Sequence, residues 1–318
     1  MATTTSLTTT YAGEFAGKYI GAALLSGNTL AQEGVTVKTN IKYKEVVKTL
    51  ALDGLVKNAT CDFDPTGTVT LAERILEPKE LQVNLDLCKA DFRNDWEAIQ
   101  MGISAHDVLP KNEVDFLIAR MSAKIAEKTE QDLWTGANAT NGSFSGITTL
   151  IAADAALPSG QEVAGTTVTA ANVVTELGKI VDAIPSRLYG KEDLYIYVSQ
   201  NIARAYIRAL GGFGASGLGA NGVNNQGTMW YNMQNELNFD GVKLFVANGL
   251  ADNKAVASQK ENLWFGTGLL NDHNEVKVLD MADIDGSQNV RFVMRYTAGV
   301  QYGFAGDIVT YGITNSAN

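Results

Sequence analysis

The chain has 318 residues, 45% hydrophobic and 19% charged, with a formal net charge of −10. That composition belongs to a folded protein of about two domains or one large one, and the acidic balance excludes a general binder of nucleic acid or anionic lipid. No run approaches the roughly 20 apolar residues of a membrane span, and the start MATTTSLTTTYAG carries no lysine or arginine of an export signal, so a soluble, cytoplasmically made protein is expected.

In chain order, a short helix is expected at 14–25, followed by an extended stretch from Val35 to Val47. Its odd positions read Val35, Val37, Thr39, Ile41, Tyr43, Glu45 and Val47 and its even ones include Lys38, Lys42 and Lys44, a period of two that predicts one buried face and one basic face. A turn-rich tip follows, then a return strand with Val69 and Leu71, and a third alternating run of Leu81, Val83, Leu85 and Leu87. These predict a projecting two-stranded hairpin at 35–76, rooted beside a strand at 80–88. From Pro110 the period becomes helical. Val114, Leu117, Ile118, Met121, Ile125 and Leu133 predict a long helix over 112–134, with Pro110 near its start and Gly136 just past its end. Beyond it the pattern alternates: a helix at 170–184 stopped by Pro185, a strand at 194–199, a helix at 200–210, and strands at 242–247 and 276–280. Apolar residues at every even position from Val290 to Phe304 predict a long closing strand, bent near Gly299.

No motif supports catalysis or a cofactor. Gly212 to Gly217 meets the G-x-G-x-x-G spacing of a dinucleotide loop, but it follows an amphipathic helix where that chemistry needs a strand, and the glycines that continue to Gly227 cannot open a helix. The two histidines, His106 and His273, stand far apart and without a metal-ligating partner, and Cys61 and Cys88 are too few for a zinc site or a disulfide framework. Asp280, Asp283 and Asp285 depart from calcium-loop spacing and read as a solvated turn. No catalytic, cofactor-binding or metal-binding residue is assigned.

The order of parts resembles the major capsid proteins of tailed bacteriophages of the Hong Kong 97 type. The resemblance rests on the arm, the long two-stranded loop, the single long helix closed by Leu133-Trp134-Thr135-Gly136, the turn Phe144-Ser145-Gly146-Ile147, the helix and strand domain, and the closing strand. Residues 239–245 and 262–267 also resemble elements of that family's axial domain. It implies an α+β capsid fold with an N-terminal arm at 1–34, an extended loop at 35–76, a peripheral domain at 77–149 and 286–318 with its spine helix at 112–134 and strands at 80–88 and 290–311, and an axial domain at 150–285. It further implies a non-enzymatic shell protein that assembles as hexamers and pentamers around double-stranded DNA, in a virion put together in the host cytoplasm. Portal and a separate scaffolding protein come with it as partners, Met1 favouring that over a trimmed precursor; decoration proteins stay open, DNA is met only by non-specific proximity, and no membrane is involved.

Physics points the same way. A long arm with a face to bury has no partner in its own domain, so another copy of the chain is the natural one. Residues 34–60 carry five lysines against Glu45 and Asp53, whereas 261–318 carry an acidic excess, so the basic arm is expected to lie on an acidic neighbour. Lys38, Lys42, Tyr43 and Lys44 are the expected interface residues. Two other readings stay open: an encapsulin-type nanocompartment shell, and a nucleotide-dependent enzyme using the glycine-rich loop at 211–222. A surface adhesin is opposed by the missing signal peptide.

Overall fold

A computed structural model describes residues 28–59, 61, 65–88, 111–210, 237–268, 277–284 and 286–316. The expected helix at 14–25, the glycine-rich loop, both histidines and Asp285 lie outside the described residues.

The longest strand, β12 (Asn289–Tyr302), organises a five-stranded sheet. Antiparallel to it, β4 (Lys79–Cys88) forms a ladder running from the Asn289–Cys88 pair to the Ala298–Lys79 pair. The short β11 (Lys277–Asp280) pairs with residues 290–293, and β10 (Leu263–Gly266) with residues 299–302. Parallel to β10 lies β1 (Thr36–Lys38). As the alternation predicts, every even residue of β12 from Val290 to Tyr302 is buried. Phe304 breaks the series and is exposed, because the strand ends at Tyr302 and a 3₁₀ turn over Ala305–Asp307 follows.

The second sheet has six strands in the order β5 (Glu162–Val163), β13 (Val309–Tyr311), β9 (Ala255–Gln259), β6 (Leu194–Val198), β8 (Val242–Val246) and β7 (Leu237–Phe239). One face is covered by α4 (Val173–Asp182), whose Val173, Leu177, Ile180 and Val181 recur at helical spacing, and by α5 (Gln200–Leu210). The other face sends Tyr197, Phe245 and Val256 into a core shared with β12. One apolar core therefore joins the two sheets.

The long helix α2 (Lys111–Thr135) enters that core with its last turns, where Ile125, Ala126, Leu133 and Trp134 are buried. Gly136 stops it: a Cβ there would stand 2.3 Å from the Phe144 carbonyl oxygen, so only glycine lets the chain fold back into α3 (Ile147–Ile151). Buried beside the apolar groups is Glu130, a residue that helical periodicity assigns to another face. Thr29, in the one-turn helix α1 (Asn28–Ala31), donates its backbone N–H at 3.0 Å and its hydroxyl at 2.5 Å to the Glu130 carboxylate, and the Trp134 indole donates to Thr29 Oγ1 at 2.9 Å. Burial raises the Glu130 pKa, against the lowering effect of the Thr29 donors and the Gly249 amide.

Two expectations need correction. The stretch from Val35 to Val47 is not one strand: after β1 the chain breaks at 39–44, with Asn40 at φ 66, and the hairpin proper begins at Glu45. Val35 and Ile41 are buried, but on the same parity Val37 within β1 and Tyr43 within the break are exposed. The chain after Tyr302 crosses to the six-stranded sheet as β13 instead of prolonging the closing strand to 311, while Leu263–Gly266 pair within the sheet of β12. The backbone hydrogen bonds decide this: β10 is used up by β1 and β12, leaving β9 to take β13.

Because its folded pKa is raised, Glu130 contributes stability that is fullest below the ordinary carboxylate value and is lost as pH rises through the raised one. Glu130→Gln, which does not titrate, is expected to be less stable than the parent at about pH 4, with the gap narrowing toward about pH 8 in thermal melts. A gap that widens with pH would show that Glu130 is held in its charged form.

Candidate assembly surface

A separate two-stranded sheet projects from this body: β2 (Glu45–Asp53) runs antiparallel to β3 (Thr68–Leu76) and, among the described residues, pairs with no other strand. Its register sorts the side chains. Val46 opposes Ile75, Lys48 opposes Glu73, Leu50 opposes Leu71, and Leu52 opposes Val69, so these eight share one face. The other face carries Val47, Thr49, Arg74, Ala72 and Thr70.

The two faces are oriented opposite to the usual rule. Thr49, Thr70, Ala72 and Arg74, together with Glu73 and Ile75 at its edge, line an open groove of about 560 Å³ whose far wall is Gln301, Gly303, Phe304 and Ala305 of the body. The mainly polar face thus looks inward. The six large apolar side chains of the other face are 44–72% exposed. Near the tip, Leu55 and Val56 add to this surface. A contiguous apolar face on a hairpin that is marginal by itself marks a surface built to be covered.

Polar clamps hold the hairpin at its root. The Arg74 guanidinium donates to Asp154 at 2.5 Å, its Nε donates to the Gly303 carbonyl at 3.0 Å, and the group lies 4.5 Å over the Tyr302 ring. Tyr302 donates its hydroxyl to the same Asp154 oxygen at 2.6 Å. Burial opposes ionisation of Asp154, but the bonds from Tyr302, the Ala156 amide and Arg74 outweigh it, and the pKa is lowered. Gln301 donates to the Ile75 carbonyl at 2.9 Å.

The four residues expected at the interface sit at the neck of this hairpin. Lys38 pairs with Glu45 at 2.8 Å and lies over the Trp264 ring; Lys44 pairs with Glu77 at 3.0 Å, which raises its pKa through the hydrogen bond and the charge. Lys42 and Tyr43 are exposed. The neck therefore brings all four together, with two of them engaged inside the chain. Sequence reasoning passed over the apolar face itself. Its signal is there, in Val46, Leu50 and Leu52 on even positions, but the parity established from Val35 hides it.

Among the described residues, no group of histidine, cysteine, aspartate and glutamate is arranged to hold a metal ion. Asp280 instead caps the 3₁₀ turn after β11, its Oδ1 accepting from the Ala282 amide at 3.0 Å. No helix among them is long and apolar enough to cross a membrane.

No protein-family model and no curated protein matches the chain. Solved structures do. The capsid of a native GTA particle, computed with C5 symmetry, aligns over 99% of this chain and 95% of its own at 13% identity and a TM-score of 0.57. The chain has a phage-capsid fold. Two further capsids carry it: that of cyanophage P-SCSP1u at 14% identity over 91% of this chain and 89% of its own (TM-score 0.54), and that of Myoviridae phage XM1 at 14% over 90% and 91% (TM-score 0.54). The fold is thus a mixed helix and sheet capsid fold spanning nearly all of the chain.

Truncation within the chain separates the capsid fold's own core from the outward hairpin face. Leu71→Ser is expected to change stability by no more than about 0.5 kcal/mol, whereas Leu177→Ala, at a residue only 1% exposed, should cost about 2–5 kcal/mol. Equal losses in denaturant unfolding of the dispersed chain would place Leu71 in the core.

Proposed function

We propose that this chain is the major shell subunit of a tailed-bacteriophage head, assembling with copies of itself as hexamers and pentamers into a closed container for the double-stranded DNA genome. The observation that carries the reading is the hairpin whose apolar face turns away from the chain's own body. Fully burying an exposed large apolar side chain contributes about 1.5–3 kcal/mol, so covering the six of this face, each roughly half exposed, is worth about 5–9 kcal/mol per subunit before the entropy of association. That gain is available only from another molecule. In this reading the face meets a different surface of the next copy, a heterologous contact, and repetition of such a contact generates rings when it closes.

In this reading the hairpin is the extended loop, α2 the spine helix, the sheet of β12 the peripheral domain and the six-stranded sheet the axial domain, with the N-terminal arm at 1–34. The role is structural rather than catalytic. The fold shared with capsids of GTA, P-SCSP1u and XM1 supports it. Portal and a separate scaffolding protein are the expected partners, and the finished protein resides in the virion. An encapsulin-type shell would use the same hairpin; the loop of the nucleotide-dependent reading, residues 211–222, lies outside the described residues.

Electron microscopy of the purified protein is expected to show closed shells, formed alone or with a scaffold. Leu50→Asp with Leu71→Asp should leave circular dichroism unchanged and abolish the shells, because two charges would be buried in the contact. A parent protein that stays monomeric under every salt and scaffold condition, or a variant that assembles as well as the parent, would sink the reading.

A further inference from the structure

Three Asn-Gly pairs occur in the chain, Asn141–Gly142, Asn221–Gly222 and Asn248–Gly249. The second lies outside the described residues. In such a pair the asparagine carboxamide is open to attack by the backbone nitrogen that follows it, because glycine has no Cβ to stand in the way. Whether the attack takes place depends on what holds the two reacting atoms, and the two described pairs differ in this.

Asn141 and Gly142 sit in the turn that joins α2 to α3. Its backbone bonds run from Thr140 N to the Ala137 carbonyl at 2.9 Å and from Ser143 N to the Thr140 carbonyl at 3.2 Å, and they leave the amide between them unused. Among the described residues, neither the Asn141 carboxamide nor the Gly142 N–H has a hydrogen-bond partner. Asn141 is exposed, and Gly142 has φ 76 with no atom within 4 Å of the place a Cβ would take. Lys79 Nζ donates to the Asn138 and Ser143 carbonyls at 3.3 and 2.9 Å, and Lys128 Nζ to Ser143 Oγ at 2.9 Å. Two ammonium groups at the base of the turn favour negative charge on a nearby atom. In the other pair both atoms are held. The Gly249 amide donates to the buried Glu130 carboxylate, Asn248 Oδ1 accepts from Gln200 Nε2 at 2.8 Å, and Gly249 is buried against the Glu130 carbonyl.

We propose that Asn141 is a site of spontaneous deamidation and that the fold protects Asn248 from the same reaction. The Gly142 nitrogen loses its proton and forms a bond to Asn141 Cγ, while the bond from Cγ to Nδ2 breaks and Nδ2 leaves with that proton as ammonia. Water, the only co-reactant, then opens the succinimide ring at either carbonyl. Opening at Cγ leaves aspartate at 141; opening at the main-chain carbonyl leaves isoaspartate, with the chain rerouted through Cβ and Cγ. Either product adds a negative charge to the turn that Lys79 and Lys128 flank, and isoaspartate also lengthens the backbone of that turn. Aged protein thereby carries a covalent mark that fresh protein lacks, at the point where the chain folds back from α2 into α3.

The test needs only the unaltered chain. Folded protein is held at mildly alkaline pH, sampled over time, cut with trypsin and read by tandem mass spectrometry; Asn141 and Asn248 fall on different tryptic peptides, since Lys179 and Lys243 separate them. Reaction at Asn248 requires a local opening that frees the Gly249 amide, so Asn141 is expected to convert about tenfold faster or more. In guanidinium chloride, where neither site keeps its hydrogen bonds, the two rates should agree within about threefold. A methyltransferase specific for isoaspartate should label the peptide that contains residue 141. Equal rates at the two sites in the folded protein would overturn the proposal, as would a rate at Asn141 that folding slows about tenfold. Aspartate as the sole product at 141 would overturn the ring-opening route, because water attacks both carbonyls of a succinimide.

Discussion

One strand, β12, is the rail on which the rest of the structure is hung. Its inward residues, from Val290 to Tyr302, are buried without a gap. Along its length it pairs with β4, β11 and β10, and beyond Tyr302 the chain passes directly into the second sheet as β13. The hairpin depends on it too, since Gln301, Tyr302 and Gly303 supply the groups that hold Ile75 and Arg74. Misplacing this strand by one residue would turn its whole apolar set outward, so its register fixes the position of both sheets and of the projecting hairpin.

Around that rail the chain divides its polar and apolar interactions by purpose. Inside the body, apolar contact does the joining: Trp134 of the long helix stands 5.1 Å from Tyr197 of the six-stranded sheet, centroid to centroid. At the hairpin root the joining is done by Arg74, Asp154, Lys38, Glu45, Lys44 and Glu77. Pairs of this kind are weak, because water screens them. They orient the hairpin without spending its apolar surface, which stays free for a second molecule.

Much of this was legible from residues alone. The alternation from Val290 onward, the helical spacing around Ile125 and Leu133, and the stops at Gly136 and Pro185 all translate directly into structure, because each is a local rule acting on local sequence. What sequence reasoning missed depends on contacts between distant segments. The partition of β10 and β13 between two sheets is a matter of which strands pair, and nothing in Leu263 to Gly266 encodes it. Glu130 looks like a solvated helix face until Thr29 and Gly249 supply its hydrogen bonds. The apolar face of the hairpin was hidden by a break of six residues around Asn40, whose φ of 66° lets the chain turn and enter β2 with the opposite parity.

The antiparallel ladder between β4 and β12 has a mechanical side. A pull on the hairpin enters β12 at Gln301 to Gly303, while the β4 ladder occupies residues 289–298 of the same strand. Tension arriving along the strand loads those pairs together in shear, so none can yield before its neighbours, whereas a perpendicular pull would open them one at a time like a zip. The sheet is thereby stiff to a load carried along β12 and weakest to a force that peels β4 away from it.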